Sequence, residues 1–477
     1  MTTRAAPAST TRRAAVSTAS QLAAKVVHLV LNVVSTLAVV RYLAPEGYGT
    51  YVLVATVTTL AGVVADFGLP KLAVREAVRV DADPGAIIGT VAALRLVLAL
   101  VAALAVQVTL LAFGQSSEAL LAGAVACLVT VGDAVLGVVV VAFQIHLLQQ
   151  YEAIIRVLGE AVETALVLVL VWLGAGLPML FVPPVVGVAV GTVLALRVGS
   201  RRFGLRLRLD RSLVRGLVTE ALPLGPGMLV GVLCLKLDSL VVAALLPAAD
   251  LGRYGAAYQP IEYLLLASAI VINVLFTVLA RAWAVGDRVA FRRIYARGTD
   301  VLLAVTLAVP VVLVGGAPWV VELAFGPSYA ASAQPLRWLS VALVLMTINA
   351  WQSVVLLATG FQRITLAYNL AALAVSVPVD VILIRSTGID GAAVAALVGA
   401  VLVLCCSTVA VRRCSAATLP AGRVLRLVAA AALSAAAVGW LVDRQVTAPA
   451  AMLAGLIGLA VGVWRLRLLP RLQEALG

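Results

Sequence analysis

The chain has 477 residues, of which 63% are hydrophobic and only 12% charged, with a net charge of +13 and a mean hydropathy of +1.11. That balance excludes a soluble enzyme, a nucleic-acid-binding domain and a disulfide scaffold, because nothing soluble can hide so much apolar surface. In a bilayer protein the positive excess reads as orientation rather than as an acidic partner.

The hydropathy pattern predicts an all-α membrane protein with about fourteen spans, at 16–40, 50–70, 87–113, 118–144, 154–174, 178–198, 223–246, 260–280, 299–318, 336–358, 364–384, 390–411, 425–442 and 448–464. A spanning barrel would need alternating segments of about ten residues, and none are present. The N-terminus has the basic start of a signal peptide, but its apolar run continues to residue 40. It is read as a retained first span. With both termini in the cytoplasm, 27 of the 35 Lys and Arg fall on the cytoplasmic side and only Arg41, Arg253, Arg385 and Arg444 on the far side. That split follows the positive-inside rule.

Helix one carries Gln21, Lys25, His28, Asn32 and Ser35, a 4, 3, 4, 3 spacing on one face. Polar groups at mid-membrane cost roughly 2.5 to 3.5 kcal/mol when charged, so this stripe should face a wet cavity or a polar neighbour. Helix one ends at RYLAPEGYGTY (41–51), where Pro and Gly predict a tight outer turn with Tyr42, Tyr48 and Tyr51 at headgroup level. Helix five begins with Arg156, Glu160 and Glu163. An Arg156–Glu160 pair would leave Glu163 as a candidate proton or cation site.

RVGSRRFGLRLRLDRSLVRG (197–216) reads as a basic cytoplasmic junction. Helix seven then repeats helix one at an offset of 206, placing Gly227, Gly231, Cys234 and Asp238 on the matching face, Asp238 where Asn32 stands. Gly227 and Gly231 are spaced for close helix approach. Lys236 and Asp238 are two apart and point to different faces, so each needs its own partner. LLPAADLGRYGAAY (245–258) repeats the first outer turn, with Tyr254-Gly255 matching Tyr48-Gly49. LLAFGQSSEALLAG (110–123) is echoed by ELAFGPSYAASA (322–333). These echoes predict two six-helix lobes, 1–200 and 217–412, related by an axis along the membrane normal. A basic linker (201–216) joins them, and an additional two-helix segment (413–477) follows. Helix eleven adds a weaker stripe of Thr365, Asn369, Ser376 and Asp380. Asp66, Arg95, Asp133, Glu262, Asn273 and Arg337 are isolated polar groups that sequence does not order. The five Cys (127, 234, 405, 406, 414) show no metal or redox spacing. No metal and no cofactor is expected, and no nucleotide-binding loop is present.

RYLAPEGYGTY, VADFGL (64–69) followed by Arg75, LGRYGAAY, and ILIRSTGIDGAAVAALV (382–398) together resemble the polysaccharide or O-antigen flippase branch of the multidrug/oligosaccharidyl-lipid/polysaccharide exporter superfamily. Arg385-Ser386 stands where that family often has Ile-Pro, and Asp380 where Asn is usual. The resemblance implies a two-lobed transporter of the bacterial cytoplasmic membrane, working by alternating access. It would flip oligosaccharide or polysaccharide repeat units linked to undecaprenyl pyrophosphate. The head group would ride between the lobes, with membrane lipids around the tail and other polysaccharide-assembly membrane proteins as partners. Gln21, Lys25, His28, Asn32, Lys236 and Asp238 are then the candidate cavity residues, Glu163 and Asp238 the coupling candidates, and Arg41, Gly47, Tyr48, Gly49, Tyr254 and Gly255 the outer-gate loops.

Three readings compete. A cation-coupled multidrug exporter would use Asp238, Glu163 and Asp66. A lipid II-type flippase would show more Arg on the first cavity helices. A membrane-embedded enzyme would need acidic or His residues on sizeable loops, whereas the chain has two His and short outer loops.

Overall fold

The structure is a computed structural model that describes residues 8–77, 83–145, 148–203, 208–222, 224–415 and 417–465, and no side chains at 8–22, 149, 202–203 or 465. Positions 204–207 of the expected linker and the stretches 1–7 and 466–477 lie outside the described residues. The described residues contain helices and no strand. They divide into two compact units, Met1–Leu233 and Cys234–Gly477.

The first unit holds α1 (Ala8–Asp66), α2 (Leu69–Ala77), α3 (Pro84–Ala112), α4 (Ser117–Ile145), α5 (Gln149–Trp172), a 3-10 turn at Leu177–Phe181, α6 (Val182–Phe203), α7 (Arg211–Ala221) and the start of α8 (Gly225–Leu245). The second continues with α9 (Ala248–Val285), α10 (Arg288–Thr306), α11 (Ala308–Phe325), α12 (Ala333–Ala358), α13 (Gln362–Thr387), α14 (Ile389–Ser415), α15 (Ala421–Asp443) and α16 (Ala448–Arg465).

Eleven described segments are long and apolar enough to cross a membrane. One of them, Ala23–Ala77, holds two crossings, because α1 breaks at Ala44 (φ 52°, ψ 175°). α5 falls outside that set because Glu152, Arg156, Glu160 and Glu163 crowd its 24 residues. α16 falls outside because its apolar run, Ala448–Trp464, is short. With these the fourteen predicted spans are all accounted for. α3 shows why such helices need lipid. Val97, Val101, Leu104 and Val108 point outward, between 57% and 67% exposed, while the smaller Ala99 and Ala102 pack inward. Small residues inside and large ones outside is the bilayer arrangement, since lipid tails are as apolar as leucine.

The expected outer turns take a different form. Pro45 removes Ala44 from helical backbone and itself starts the next limb, where its missing N–H costs nothing. Gly47, Tyr48 and Gly49 therefore lie inside the second limb of α1, not in a loop. In the second unit the chain breaks before Pro247, so Tyr254 and Gly255 lie inside α9. Tyr48 and Tyr254 are 2% and 0% exposed, which corrects the headgroup placement of Tyr48: these tyrosines are core. Tyr42 does tie two segments together, donating from its hydroxyl to the Ala175 carbonyl at 2.9 Å.

The echoed Phe-Gly pairs share a cause. Gly114 (φ 64°) and Gly326 (φ 93°) both end a helix in backbone that other residues take at a cost. The α13–α14 corner uses Gly388 (φ 65°), and a Cβ on Gly391 would lie 2.1 Å from the Leu383 carbonyl oxygen. Gly391→Ala is expected to push the two helices apart and cost about 1 to 3 kcal/mol, the range for overpacking. The check is a lowered thermal midpoint of the purified protein. An unchanged midpoint would mean the corner opens without penalty.

Candidate functional site

In the first unit the polar stripe of α1 meets the charged stripe of α5. His28 Nδ1 faces Glu160 Oε1 at 2.5 Å, and Ser35 donates to Thr164 Oγ1 at 3.0 Å. Asn32 donates to the His28 carbonyl at 3.1 Å. Two of the five stripe residues, His28 and Ser35, are thus spent on a neighbouring helix, as in a stripe that merely joins helices. Glu160 pairs with His28 and not with Arg156, whose Nε donates to Glu152 at 3.2 Å. The reason is register: α1 brings an imidazole to Glu160, and Glu152 lies one turn earlier on α5 beside the guanidinium. Close backbone contact fixes the far side of α5, where a Cβ on Gly159 would meet the Gly187 carbonyl oxygen at 2.7 Å. Glu163 sits at the same crossing, its Oε2 3.4 Å from where a Gly187 Cβ would be.

Lys25 is exposed on α1 and makes no ion pair among the described residues. It lines a cavity of about 360 Å³ together with His28, Gln144, Glu152, Arg156 and Glu160. The side chain of Gln21 lies outside the described residues.

Two polar groups that sequence left isolated come together nearby. Arg95 Nη2 of α3 pairs with Asp66 Oδ1 of α1 at 3.2 Å, and its Nη1 donates to the Ala134 carbonyl at 3.3 Å. Arg95, Asp66 and Asp133 line a wider cavity of about 650 Å³. Nothing in their spacing signalled this, because the three sit on different helices.

In the second unit Lys236 Nζ forms an ion pair with Glu262 Oε1 and stands 5.8 Å from the centre of the Tyr258 ring. Asp238 is 6% exposed. It accepts from the Tyr254 hydroxyl and from the Ser239 amide at 2.9 Å. Tyr258 donates to the Leu235 carbonyl at 2.9 Å, which holds the aromatic wall of this site. Asp380 of α13 is buried and interacts electrostatically with Asp238. Cys234 contacts the Asn369 carbonyl of the same helix at 3.7 Å. Gly227 and Gly231 do not serve a close helix crossing: a Cβ at either would meet nothing within 4 Å. Arg41 is exposed near the end of the first limb of α1, and Gly47 and Gly49 carry no side chain. Tyr254 belongs to the second polar set, as the donor to Asp238.

Among the described residues the arrangement offers one cation without an ion pair, Lys25, three paired ones, Arg95, Arg156 and Lys236, and several buried carboxylates, all on helices long enough to cross a bilayer. The polysaccharide biosynthesis protein family matches residues 11–283. The chain belongs to that family. Solved structures share its fold. The lipid II flippase MurJ, in an inward closed conformation, superposes with a TM-score of 0.73 at 11% identity, covering 94% of this chain and 97% of MurJ. An inward-facing multidrug resistance MATE family transporter of the MOP superfamily gives a TM-score of 0.67 at 15% identity, over 84% and 98% of the two chains. A eukaryotic MATE transporter gives 0.59 at 14% identity, over 84% and 95%. No curated protein matches the sequence.

Proposed function

We propose that this member of the polysaccharide biosynthesis family is a flippase rather than an enzyme. It carries oligosaccharide or polysaccharide repeat units on undecaprenyl pyrophosphate across the bacterial cytoplasmic membrane by alternating access. The observation that carries the reading is Lys25, a cation free of ion pairs on a cavity within the membrane-spanning part of the first unit. A pyrophosphate entering such surroundings is attracted far more strongly than in water. His28 and Asn32 add hydrogen-bonding groups within the same stretch of α1. The distribution of Arg and Lys supports cytoplasmic termini. The two six-helix lobes, 1–200 and 217–412, are the moving parts in this reading, joined by the linker 201–216, with the pair after 412 as an addition. Gln21, Lys236 and Asp238 remain in the proposed substrate path. The proposed gate is formed by the helix ends and starts around Arg41, Tyr48 and Tyr254 rather than by loops.

The two kinds of neighbour frame the alternatives. MurJ carries lipid II, and a diphosphate-linked glycan is the chemistry that an unpaired Lys25 suits. The MATE transporter is a multidrug resistance protein. The buried carboxylates Asp238 and Asp380 would suit a cation-coupled exporter, with Glu163 as a further ion site.

The test is transfer of a fluorescent undecaprenyl-pyrophosphate oligosaccharide between leaflets of proteoliposomes. Lys25→Ala is expected to lower the initial rate about tenfold, the worth of one charge-assisted contact. Normal transport by that variant removes Lys25 from the mechanism. Failure to move several glycans, with cation-driven dye efflux in the same vesicles, moves the protein to the exporter reading.

A further inference from the structure

The wider cavity of the first unit has a composition that the pyrophosphate alone does not explain. It encloses about 650 Å³, within the range of pockets that hold small ligands, about 300 to 1,000 Å³. It shares Gln144, Glu152 and Arg156 with the smaller cavity of Lys25 and His28. A molecule with its phosphates at Lys25 therefore has the wider space next to it, across one wall.

The walls of that space are built for hydroxyl groups. Two polar atoms on its lining residues, Arg95 Nε and Thr58 Oγ1, are buried and have no hydrogen-bond partner. Arg95 as a whole is 6% exposed, so its Nε has no bulk solvent to turn to. Buried polar atoms left without partners are costly and rare; neither touches the open space in this conformation, and a small side-chain rotation would bring each to a bound polar ligand. The charges are unequal: Arg95 and Arg156 face Asp66, Asp133 and Glu152. Arg95 is taken by Asp66 and Arg156 by Glu152. The Asp133 carboxylate is left exposed within the cavity. At the other end Tyr51 and Phe181 stack with ring centres 4.7 Å apart, an apolar platform.

We infer that this cavity is a sugar subsite, which receives neutral or amino-bearing sugar residues of the transported head group and discriminates against acidic ones. Asp133 accepts from sugar hydroxyls or an amino group. Thr58 and Arg95 Nε donate to ring or hydroxyl oxygens. The C–H face of a ring lies on Tyr51 and Phe181. The surplus carboxylate repels a uronate. The assignment rests on the flippase reading, and it names the part of the substrate that reading leaves open.

The test uses the full-length protein in nanodiscs and three soluble probes: a short prenyl pyrophosphate, the same lipid bearing an N-acetylhexosamine disaccharide, and the same lipid bearing a hexuronic acid. Dissociation constants are read by titration. The disaccharide is expected to tighten wild-type binding roughly five- to tenfold, the yield of one or two satisfied buried hydrogen bonds, and the uronate is not. Asp133→Ala and Thr58→Val are expected to erase most of that gain and leave the bare pyrophosphate lipid unaffected. Asp133→Asn is the isosteric variant that serves if alanine unfolds the protein. Lys25→Ala should weaken all three probes alike. If the bare lipid binds and the disaccharide adds nothing, or if its gain survives both cavity variants, the sugar subsite is wrong and the flippase reading stands. If no probe binds wild type, the flippase reading itself fails.

Discussion

Arg95→Ala is expected to lower the thermal midpoint of the purified protein by roughly 10 °C, equivalent to about 3 to 5 kcal/mol for removing one partner of a buried ion pair. Arg95 lies almost wholly inside the first unit, bound to Asp66 at 3.2 Å and to the Ala134 carbonyl at 3.3 Å. Alanine would leave Asp66, half-buried, without its cation and Asp133 facing the cavity, with Arg156 as the remaining cation on its lining. The packing around the guanidinium is equally demanding: a Cβ on Gly137 would fall 2.1 Å from Arg95 Nη1, so α4 makes room for this group with a glycine. Arg95→Lys keeps the charge but cannot reach both partners from one fork, and is expected to recover less than half of the loss. Pairing Arg95→Gln with Asp66→Asn removes both charges and is expected to recover most of it. Equal losses in the alanine variant and the neutral double variant would show that shape, not charge, dominates there.

The spans and several helix corners were legible in the sequence because both depend on local signals. Long apolar runs need only hydropathy, and the positions of Gly68, Gly114, Gly326 and Gly388 mark corners that need left-handed backbone. The outer turns were read less well. Pro45 and Pro247 act at one position each, as helix starts, so the Tyr-Gly pairs that looked like loop tips begin new helices. The polar sites were legible only by halves. The α1 stripe is visible at helical spacing, and so is the α5 stripe. The register of α1 against α5, which gives Glu160 to His28, leaves no trace in either stripe alone, whereas the Arg156–Glu152 pair is an i, i+4 contact within α5. Asp66, Arg95 and Asp133 stand on three helices, and single residues at that separation carry no common period. Lys236 and Glu262 are likewise 26 residues apart, on α8 and α9.

That pair gives the functional variant with the largest expected effect. Lys236→Ala is expected to cut flipping about a hundredfold, more than Lys25→Ala, for two additive reasons. It removes a cation from the proposed path, and it leaves Glu262 bare, so a carboxylate faces the incoming pyrophosphate. Each term is about 1.4 kcal/mol if worth a tenfold change. Glu262→Gln separates them. It frees Lys236, and is expected to tighten binding of a prenyl pyrophosphate while slowing release, so turnover falls as affinity rises. The exchange variant Lys236→Glu with Glu262→Lys restores the ion pair with its ends reversed. If the pair matters only for holding α8 to α9, the exchanged protein should regain both stability and transport. If Lys236 meets the substrate, stability returns and transport does not, because the cation now projects from α9 beside the Tyr258 ring. Full transport by the exchanged protein would remove Lys236 from the substrate path and leave the cationic role to Lys25.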